Sequence, residues 1–328
     1  MALNSASVLL PVLLLFGLSG ALIYAISRKK RDYKEVAKVI KLIIYPIKSL
    51  PGIEVNEVTI TKSGLKSGPV RDRMWILITK ENRFITQRIE PSLALLRQSI
   101  HQNEIWIDGP DMPTLKLKIE TQRQSQDIIL QTKVWNQAID GLYCGKEAEE
   151  WFSKYLNKPN TKLIQHIPEC GLRNSSLERN DKVIQSNKYP ITYHDGSPVL
   201  VINQNSITNL NNKLSNECQV SYRNFRPNIL ITDCEPHEED NWKYMKIKDI
   251  EFVGLKPCDR CVLTTINPDT GIKMDSEPIN TLKTYRLANE KVRKYYGTSP
   301  LFGMNFAPEK EGHIYCDDII EAVVNQNN

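Results

Sequence analysis

Short runs of β-branched and apolar residues, separated by turn residues, recur along the chain from residue 36 onward. Such runs are typical of strands that pack one face against a core, and the Gly, Pro, Asn and Asp residues between them favour turns. The clearest runs are Val36–Ile47, Ile53–Ile60, Met74–Thr79, Leu115–Ile119, Val199–Asn203, Ile229–Thr232 and Val262–Ile266. The pattern predicts a mainly β protein with a few flanking helices.

Two segments have a helical pattern instead, and a third helical segment is expected around Leu287–Tyr296. Apolar residues recur at positions i, i+3, i+4, i+7 and i+8 from Ala148 to Leu156, and Pro159 ends the run. Residues 206–214 offer a shorter helix. Residues 165–182 are polar and irregular, and the sequence predicts a surface connection there.

The N-terminus predicts a membrane anchor. Residues 1–27 contain no charged side chain, and Val8–Ile26 is a nearly continuous apolar run of 19 residues. As a helix it spans about 28 Å, against a hydrocarbon core of about 30 Å. The basic cluster Arg28–Arg31 follows the run, whereas a cleaved signal peptide has its basic residues in front. By the positive-inside rule, everything from Arg28 onward faces the cytosol.

Composition limits which binding partners and which cellular compartment are expected. The 43 basic and 38 acidic residues leave a net charge of only +5, which makes no case for nucleic acid. Seven cysteines, mostly isolated in sequence, are typical of a reducing compartment. The chain has no G-x-G-x-x-G dinucleotide fingerprint and no haem attachment motif, so electrons for any redox chemistry would come from partner proteins.

The most reactive stretch is Gly254–Gly271, where Cys258 and Cys261 form a C-x-x-C motif before a predicted strand. A structural zinc site would need a second ligand pair, which the sequence lacks. A thioredoxin-like couple would stand at a helix N-terminus, which a following strand opposes. Two inert core thiols remain an alternative. Arg260, next to Cys261, would favour a thiolate there.

The motif and its neighbours resemble one family. Lys256–Gly271, Glu277–Pro278, Leu282–Arg286 and Ser299–Gly303 are similar to the mitochondrial amidoxime-reducing components, which belong to the MOSC molybdenum-cofactor proteins, and the similarity covers about residues 36–325. The resemblance implies an α+β, mainly β fold. A MOSC β-barrel at 180–325 would pack on a β-rich MOSC N-terminal domain at 36–165, behind one transmembrane helix within residues 1–31.

The resemblance also implies the site residues. The metal ligand of the family corresponds to Cys261, while Cys258 has no metal role. Residues at the family's positions for contacting the pterin cofactor and its phosphate, or close to the proposed metal, are Lys48, Ser49, Arg73, Ser197, Arg226, Asn228, Arg260 and Asn305. The chain departs from the family at Asp259, where a small hydroxyl residue is usual, and at Asn305, where Tyr is usual.

By resemblance, the function is a molybdenum-cofactor-dependent (Mo-molybdopterin) reductase of N-hydroxylated compounds such as amidoximes, hydroxylamines and N-hydroxyguanidines. Electrons would pass from NADH through cytochrome b5 reductase and cytochrome b5. The lipid bilayer would hold residues 8–26, at the mitochondrial outer membrane or, alternatively, the endoplasmic reticulum. Two other functions stay open: a MOSC sulfur carrier with a Cys261 persulfide, and a non-catalytic membrane adaptor.

Asp259 has two candidate roles. Reducing an N–OH bond consumes two electrons and two protons, and a carboxyl near an anionic metal centre favours its protonated form and can donate. Alternatively, Asp259 accepts backbone N–H bonds in the turn between the two cysteines. Both alternatives stay open at the level of sequence.

Overall fold

A computed structural model of the chain describes residues 31–324. The predicted membrane helix at 8–26 lies outside the described residues, and none of the helices in the described part is long and apolar enough to cross a membrane. Lys34 begins one compact unit that includes every strand given below.

Strands dominate the first half of this unit, as expected from its β-branched runs. Its elements are β1 (Lys34–Ile44), β2 (Ile53–Val55), β3 (Glu57–Thr61), β4 (Gly64–Ser67), β5 (Val70–Arg71), β6 (Trp75–Ile78), β7 (Arg97–His101), β8 (Glu104–Asp108), β9 (Leu115–Lys118), β10 (Ile129–Val134), β11 (Gln137–Tyr143), α1 (Lys146–Tyr155) and β12 (Lys162–Gln165). The predicted helix is confirmed as α1, which buries Ala148, Trp151 and Phe152.

The second half adds more strands and four short helices. Its elements are β13 (Arg173–Arg179), β14 (Lys182–Ile191), β15 (Val199–Asn203), α2 (Gln204–Asn211), α3 (Tyr222–Phe225), β16 (Ile229–Thr232), β17 (Trp242–Ile247), β18 (Ile250–Asp259), α4 (Ile279–Lys283), α5 (Arg293–Tyr296), β19 (Leu301–Pro308), β20 (Gly312–Tyr315) and β21 (Ile319–Val324). The expected mainly β fold with few helices is confirmed.

Seven strands close into a barrel in the order β16, β15, β19, β18, β17, β21 and β1, with β1 pairing back to β16 and β2 attached to β1. All these pairs are antiparallel except β15 with β16. β1 can serve three neighbours because it is 11 residues long. Its start alternates in burial, whereas Leu42, Ile43 and Ile44 are all buried because both faces are covered there.

The remaining strands form smaller sheets. These are β10-β11-β12-β6, β20-β3-β4-β5, β7-β8-β9 and the hairpin β13-β14. The first residues of the predicted N-terminal domain, in β1 and β2, therefore lie in the barrel sheet with C-terminal strands. Sequence periodicity could not show this, because strand partners are chosen by tertiary packing.

Two local predictions were wrong. The surface connection expected at 165–182 contains β13, which pairs with β14 and buries Arg173 and Ser175. The strand expected at Val262–Ile266 is a 3-10 turn over Val262–Thr265. The hydroxyls of Thr264 and Thr265 bond back to carbonyls three residues earlier, which favours the turn over an extended ladder.

Candidate functional site

The two motif thiols lie on either side of the end of β18. Cys258 is half-buried near the end of that strand, and Cys261 is exposed where the 3-10 turn begins. Arg260, between them, donates its backbone N–H to the Pro300 carbonyl at 2.8 Å, which holds the loop against the start of β19. The fold therefore presents Cys261, rather than Cys258, to solvent.

The Arg260 side chain contacts the other thiol. Its Nη1 lies 3.0 Å from Cys258 Sγ, and its Nη2 donates to the Phe225 carbonyl at 2.6 Å. Burial raises the pKa of Cys258, and the Arg260 guanidinium opposes that rise. The sequence expectation that Arg260 promotes a thiolate at Cys261 through direct proximity is therefore not what the geometry shows, because the side chain turns inward.

Asp259 also has a different partner from the expected one. Its carboxylate accepts from Lys256 Nζ at 2.6 Å, and no backbone N–H of the turn among the described residues bonds it. Lys256 is buried and its ammonium lies 4.8 Å from the centre of the Tyr296 ring. Asp259 is about half exposed, at 48% of its side chain, so the ion pair lies at the protein surface.

Helix α3 joins the thiol loop to a group of cations. Asn224 Nδ2 bonds the carbonyls of Thr264 and Ile266, at 3.2 and 3.3 Å, and Phe225 accepts from Arg260. Arg226 follows directly, as the left-handed residue that ends the helix, with a φ of 61°. The contacts of α3 thus place Arg226 near the turn that carries Cys261.

Tyr45 organises two guanidinium groups. Arg226 lies 4.3 Å and Arg73 4.5 Å from the centre of its ring, both within the range of cation–π attraction. Burial raises the pKa of Tyr45 to about 12, so the phenol is neutral. Burial lowers the pKa of Arg226 to about 10, which still leaves it charged at neutral pH.

The two arginines differ in their acidic partners. Asp72, fully buried, contacts Arg73 and accepts the Tyr45 backbone N–H at 2.6 Å. Burial favours its neutral form, but Arg73 and His194 outweigh this and keep the pKa of Asp72 below its ordinary value. No carboxylate in the described part of the chain forms an ion pair with Arg226. Arg226 is therefore available to an anion from outside the chain.

Lys48 is buried and paired. Its Nζ lies 2.8 Å from Asp195 Oδ1, and the same oxygen accepts the Trp135 indole N–H at 3.1 Å. Burial lowers the pKa of Lys48, and Asp195 opposes that change. For Asp195, burial is outweighed by Lys48, which keeps the pKa of Asp195 well below its usual range. Lys48 therefore lies in the site as an ion pair with Asp195.

The polar residues implied by the resemblance fall into three local groups. A hydrogen bond joins Ser197, just before β15, to Asn305 in β19. Asn228 is buried, accepting from the Leu200 N–H and Arg73 Nη1 and donating to the Ile43 carbonyl, so its side chain mainly fastens strands. Ser49 has a left-handed φ of 72° and is buried beside Lys48.

Three residues that sequence reasoning missed connect these groups: Tyr45, Asp72 and Asp195. Asp72 could have been identified from the sequence, because an acidic residue between Arg71 and Arg73 commonly forms an ion pair with one of them. For Asp195, the sequence predicted only that it lies in a turn. Tyr45 resembled any other residue at the end of a strand.

The donor set suits an anionic group bearing a soft metal. A thiol is exposed at Cys261, Arg226 has no acidic ion-pair partner within residues 31–324, and Nε of Arg260 is buried there without a hydrogen-bond partner. Among residues 31–324, no three His, Cys, Asp or Glu side chains converge as a metal site would require. The arrangement could therefore supply one sulfur ligand and several cations, but not a complete protein cage.

Comparisons with known proteins agree along nearly the whole chain. Residues 36–159 match the MOSC N-terminal beta barrel domain, and residues 188–321 match the MOSC domain. The chain is 37% identical over 298 residues to mitochondrial amidoxime reducing component 2 of Rattus norvegicus, covering 90% of this chain and 86% of that protein. It is 37% identical to component 1 of Mus musculus over 89% of this chain and 84% of that protein, and 34% identical to component 2 of Homo sapiens over 90% and 87%.

Proposed function

Because the chain belongs to the family of the mitochondrial amidoxime-reducing components and contains both MOSC domains, we propose that it is a molybdenum-cofactor-dependent reductase of N-hydroxylated compounds. The observation that carries the proposal is the exposed Cys261 thiol, held by α3 near the Arg226 guanidinium, which forms no ion pair with an acid in the described part of the chain. Amidoximes, hydroxylamines and N-hydroxyguanidines are the proposed substrates.

The residues fit the cofactor because they offer positive charges for its phosphate and a soft thiolate for its metal. Cys261 would ligate the metal, because a thiolate is the soft ligand that such a centre prefers. Arg226, Arg73 and Lys48 would hold the phosphate. Asp72 partly neutralises the charge of Arg73, and Asp195 partly neutralises that of Lys48. Arg226 has no such ion pair among the described residues, so we expect it to attract the phosphate most strongly. When bound, the cofactor would supply the two electrons of the reduction.

The remaining chemistry belongs to the chain. Arg260 fixes the loop through its contacts with Cys258 and Phe225, so Cys261 is held at a defined place. Asp259 and Lys256, bonded to each other, form the proposed proton-donating pair: the Lys256 ammonium holds the proton and the Asp259 carboxylate passes it to the departing oxygen. Ser197 and Asn305, bonded to each other, offer polar atoms where substrate and cofactor would meet.

Electron supply and location are part of the same proposal. We infer that cytochrome b5 and its NADH-dependent reductase deliver electrons, since the sequence has no motif for a nicotinamide or a haem of its own. Residues 8–26 would anchor the protein in the mitochondrial outer membrane with its catalytic part in the cytosol. An anchor shared with its partners raises their effective concentration.

Metal analysis with turnover tests the proposal. The purified protein should hold about one molybdenum per chain and reduce benzamidoxime with NADH, cytochrome b5 and its reductase. Cys261→Ser should abolish turnover, because a hydroxyl is a hard, poorly ionised ligand. The matched control Cys258→Ser should keep most activity.

Other outcomes separate the competing functions. Sulfane sulfur on Cys261 without molybdenum would identify a sulfur carrier, and the absence of both would identify an adaptor. If Cys258→Ser were inactive and Cys261→Ser active, the metal ligand would be misassigned.

A further inference from the structure

The Lys256 ammonium, which forms the ion pair with Asp259, also contacts an aromatic ring. Its Nζ lies 2.6 Å from Asp259 Oδ1 and 4.8 Å from the centre of the Tyr296 ring, within the range of cation–π attraction. The lysine is buried, whereas the Asp259 side chain is 48% exposed. Two different groups therefore decide where the ammonium lies.

The ion pair alone would hold the ammonium only loosely. An ion pair at the protein surface stabilises little, because water screens the charges and because ordering a long lysine side chain costs conformational entropy. The face of an aromatic ring adds an attraction that needs no second exposed charge. We therefore expect the Tyr296 ring to limit how far the ammonium can move.

Tyr296 is itself fixed by packing and by a hydrogen bond. It ends helix α5, is only 5% exposed, and packs with Ala288 and Val292. Its hydroxyl donates to Glu178 Oε2 at 2.6 Å. Burial, together with the Glu178 carboxylate, raises the pKa of Tyr296, so the phenol is neutral and remains the donor. The ring is therefore held along its sides and at its hydroxyl.

Glu178 belongs to the β13–β14 hairpin, which packs against the barrel. Its neighbour Leu177 packs against a cluster that includes Leu255 of β18. Val183, which pairs with Glu178 across the hairpin, packs against the cluster that contains Tyr296. The hairpin therefore contacts both β18 and Tyr296, and it places Glu178 at the Tyr296 hydroxyl.

We propose that Tyr296 and Glu178 are positioning residues for the reduction: Tyr296 holds the Lys256 ammonium at its ring face, and Glu178 holds Tyr296. This inference rests on the proposed function and extends it from the Lys256–Asp259 pair to two residues that act through Lys256. With the ammonium at a fixed place, its proton stays next to the carboxylate that passes it on.

The proton balance follows from the overall reaction. Reduction of an N–OH group to N–H and water takes up two electrons, which come from the partner proteins, and two protons from solvent. The Lys256–Asp259 pair relays the proton that goes to the departing oxygen. Lys256 is then protonated again from water, because the pair lies at the protein surface.

Kinetics of the full-length, molybdenum-loaded protein with benzamidoxime test the role. Tyr296→Leu should lower kcat about tenfold and leave KM and molybdenum content near those of wild type, because only proton delivery is misplaced. The solvent deuterium isotope effect on kcat should rise, since proton delivery then limits turnover. Tyr296→Phe keeps the ring face, and Glu178→Ala breaks the same hydrogen bond, so each should lower kcat only about twofold to threefold, and no further when combined.

The adjacent Tyr295 provides the matched control. Its ring also lies under a lysine, with Lys294 Nζ 5.1 Å from its centre, but Asp259 pairs with Lys256. Tyr295→Leu should therefore leave kcat unchanged. In a Lys256→Met background, Tyr296→Leu should cause no further loss of kcat, because the ammonium through which it acts is gone.

Trace acetylation with acetic anhydride gives a readout that needs neither turnover nor molybdenum. Mass spectrometry measures the acetylation rate of each lysine amine in the folded protein. Tyr296→Leu should raise the rate at Lys256 at least about threefold, because the ammonium loses the ring that holds it, and should leave the rate at Lys294 unchanged. Tyr295→Leu should leave the rate at Lys256 unchanged.

Two kinetic results would overturn the proposal. One is wild-type kcat in Tyr296→Leu or, where that variant does not fold, in both Tyr296→Phe and Glu178→Ala. The other is a loss of kcat on Tyr296→Leu that is equally large in the Lys256→Met background, which would show a purely structural role. A wild-type protein without molybdenum and without turnover would instead reject the proposed function, and the acetylation rates would then decide alone whether Tyr296 holds Lys256.

Discussion

Individual side chains in this protein act mainly through the partner that the fold gives them. Arg260 adjoins Cys261 in sequence, yet its guanidinium contacts Cys258 and the Phe225 carbonyl. Asp259 adjoins the same thiol and pairs with Lys256. Sequence neighbours of a reactive residue are therefore poor guides to its electrostatic environment, because alternate residues of an extended loop point in different directions.

Asp259→Asn is expected to slow turnover by about 10²-fold while molybdenum content stays near normal, if Asp259 is the proton donor. One ionisation should also disappear from the pH dependence of turnover. The measurement is kcat across pH together with metal analysis. A lowered metal content with an unchanged pH profile of the loaded fraction would show that Asp259 only holds the loop through Lys256.

The buried carboxyl of Glu239 predicts that the free energy of unfolding depends on pH. It is fully buried, its Oε2 has no partner, and burial together with Asp240 raises its pKa to about 8 from 4.5. The folded state therefore holds a proton that the unfolded state releases, so this stabilisation is complete below about pH 4.5 and is lost as pH rises to about 8.

Glu239→Gln should remove that dependence. Across this window Glu239 lowers the free energy of unfolding by about 1.4 kcal/mol per pH unit, and the variant should flatten that contribution. Urea unfolding at pH 5 and pH 8 measures it. The free energy of unfolding of the variant should rise relative to that of wild type as pH rises. A difference in free energy of unfolding that is the same at both pH values would contradict the explanation by a buried acid.

At the scale of elements, the site depends on short segments that fasten long strands. Helix α3 has four residues, yet Asn224 and Phe225 bind the thiol loop on both sides of Cys261. The end of β18 pairs with β19, which carries Asn305. Displacement of either element would separate the thiol from its cations without any change to a site residue.

Gly303 in β19 offers a test of how closely that strand must pack against β15. Its φ is +83°, and a Cβ there would lie 2.8 Å from the Val201 carbonyl oxygen and 2.6 Å from the Ile202 side chain. Gly303→Ala should destabilise the fold by about 2 to 3 kcal/mol, since it combines backbone strain with overlap against β15.

Gly68→Ala is the matched control. Gly68 also has a positive φ, of +54°, but a Cβ there meets nothing within 4 Å. It should cost only about 1 kcal/mol, from strain alone. Chemical denaturation measures both variants, and equal losses would show that the contact with β15 is unimportant.

At the scale of the whole molecule, the N-terminal strand closes the barrel. β1 pairs with β21 on one side and β16 on the other, so a strand from the start of the unit joins strands from its end. Tyr45 follows β1 directly. The residue whose ring contacts both arginines therefore directly follows the strand that closes the barrel.

Removal of residues 1–32 is expected to leave folding intact, because Lys34 begins a compact unit. A chain starting at Tyr33 should be soluble and should reduce benzamidoxime with soluble partners. The full chain should resist carbonate extraction and expose its C-terminus to added protease on intact organelles. A protected C-terminus would overturn the proposed topology.

The sequence alone determined the fold class, helix α1 and the family. These rest on local composition, on 3.6-residue periodicity and on a contiguous motif, all of which are properties of neighbouring residues. The site residues implied by the resemblance came with the motif. The same local logic failed at Val262–Thr265, where β-branched residues predicted a strand and threonine hydroxyls instead closed a turn.

Tertiary structure decided everything that depends on distant segments. Lys48 and Asp195 are 147 positions apart, Arg73 and Asn228 are 155 apart, and Ser197 and Asn305 are 108 apart. No periodicity links residues at such separations, because contacts between them follow strand pairing and barrel closure. Which thiol is exposed and which arginine has no acidic partner among the described residues are therefore outcomes of packing.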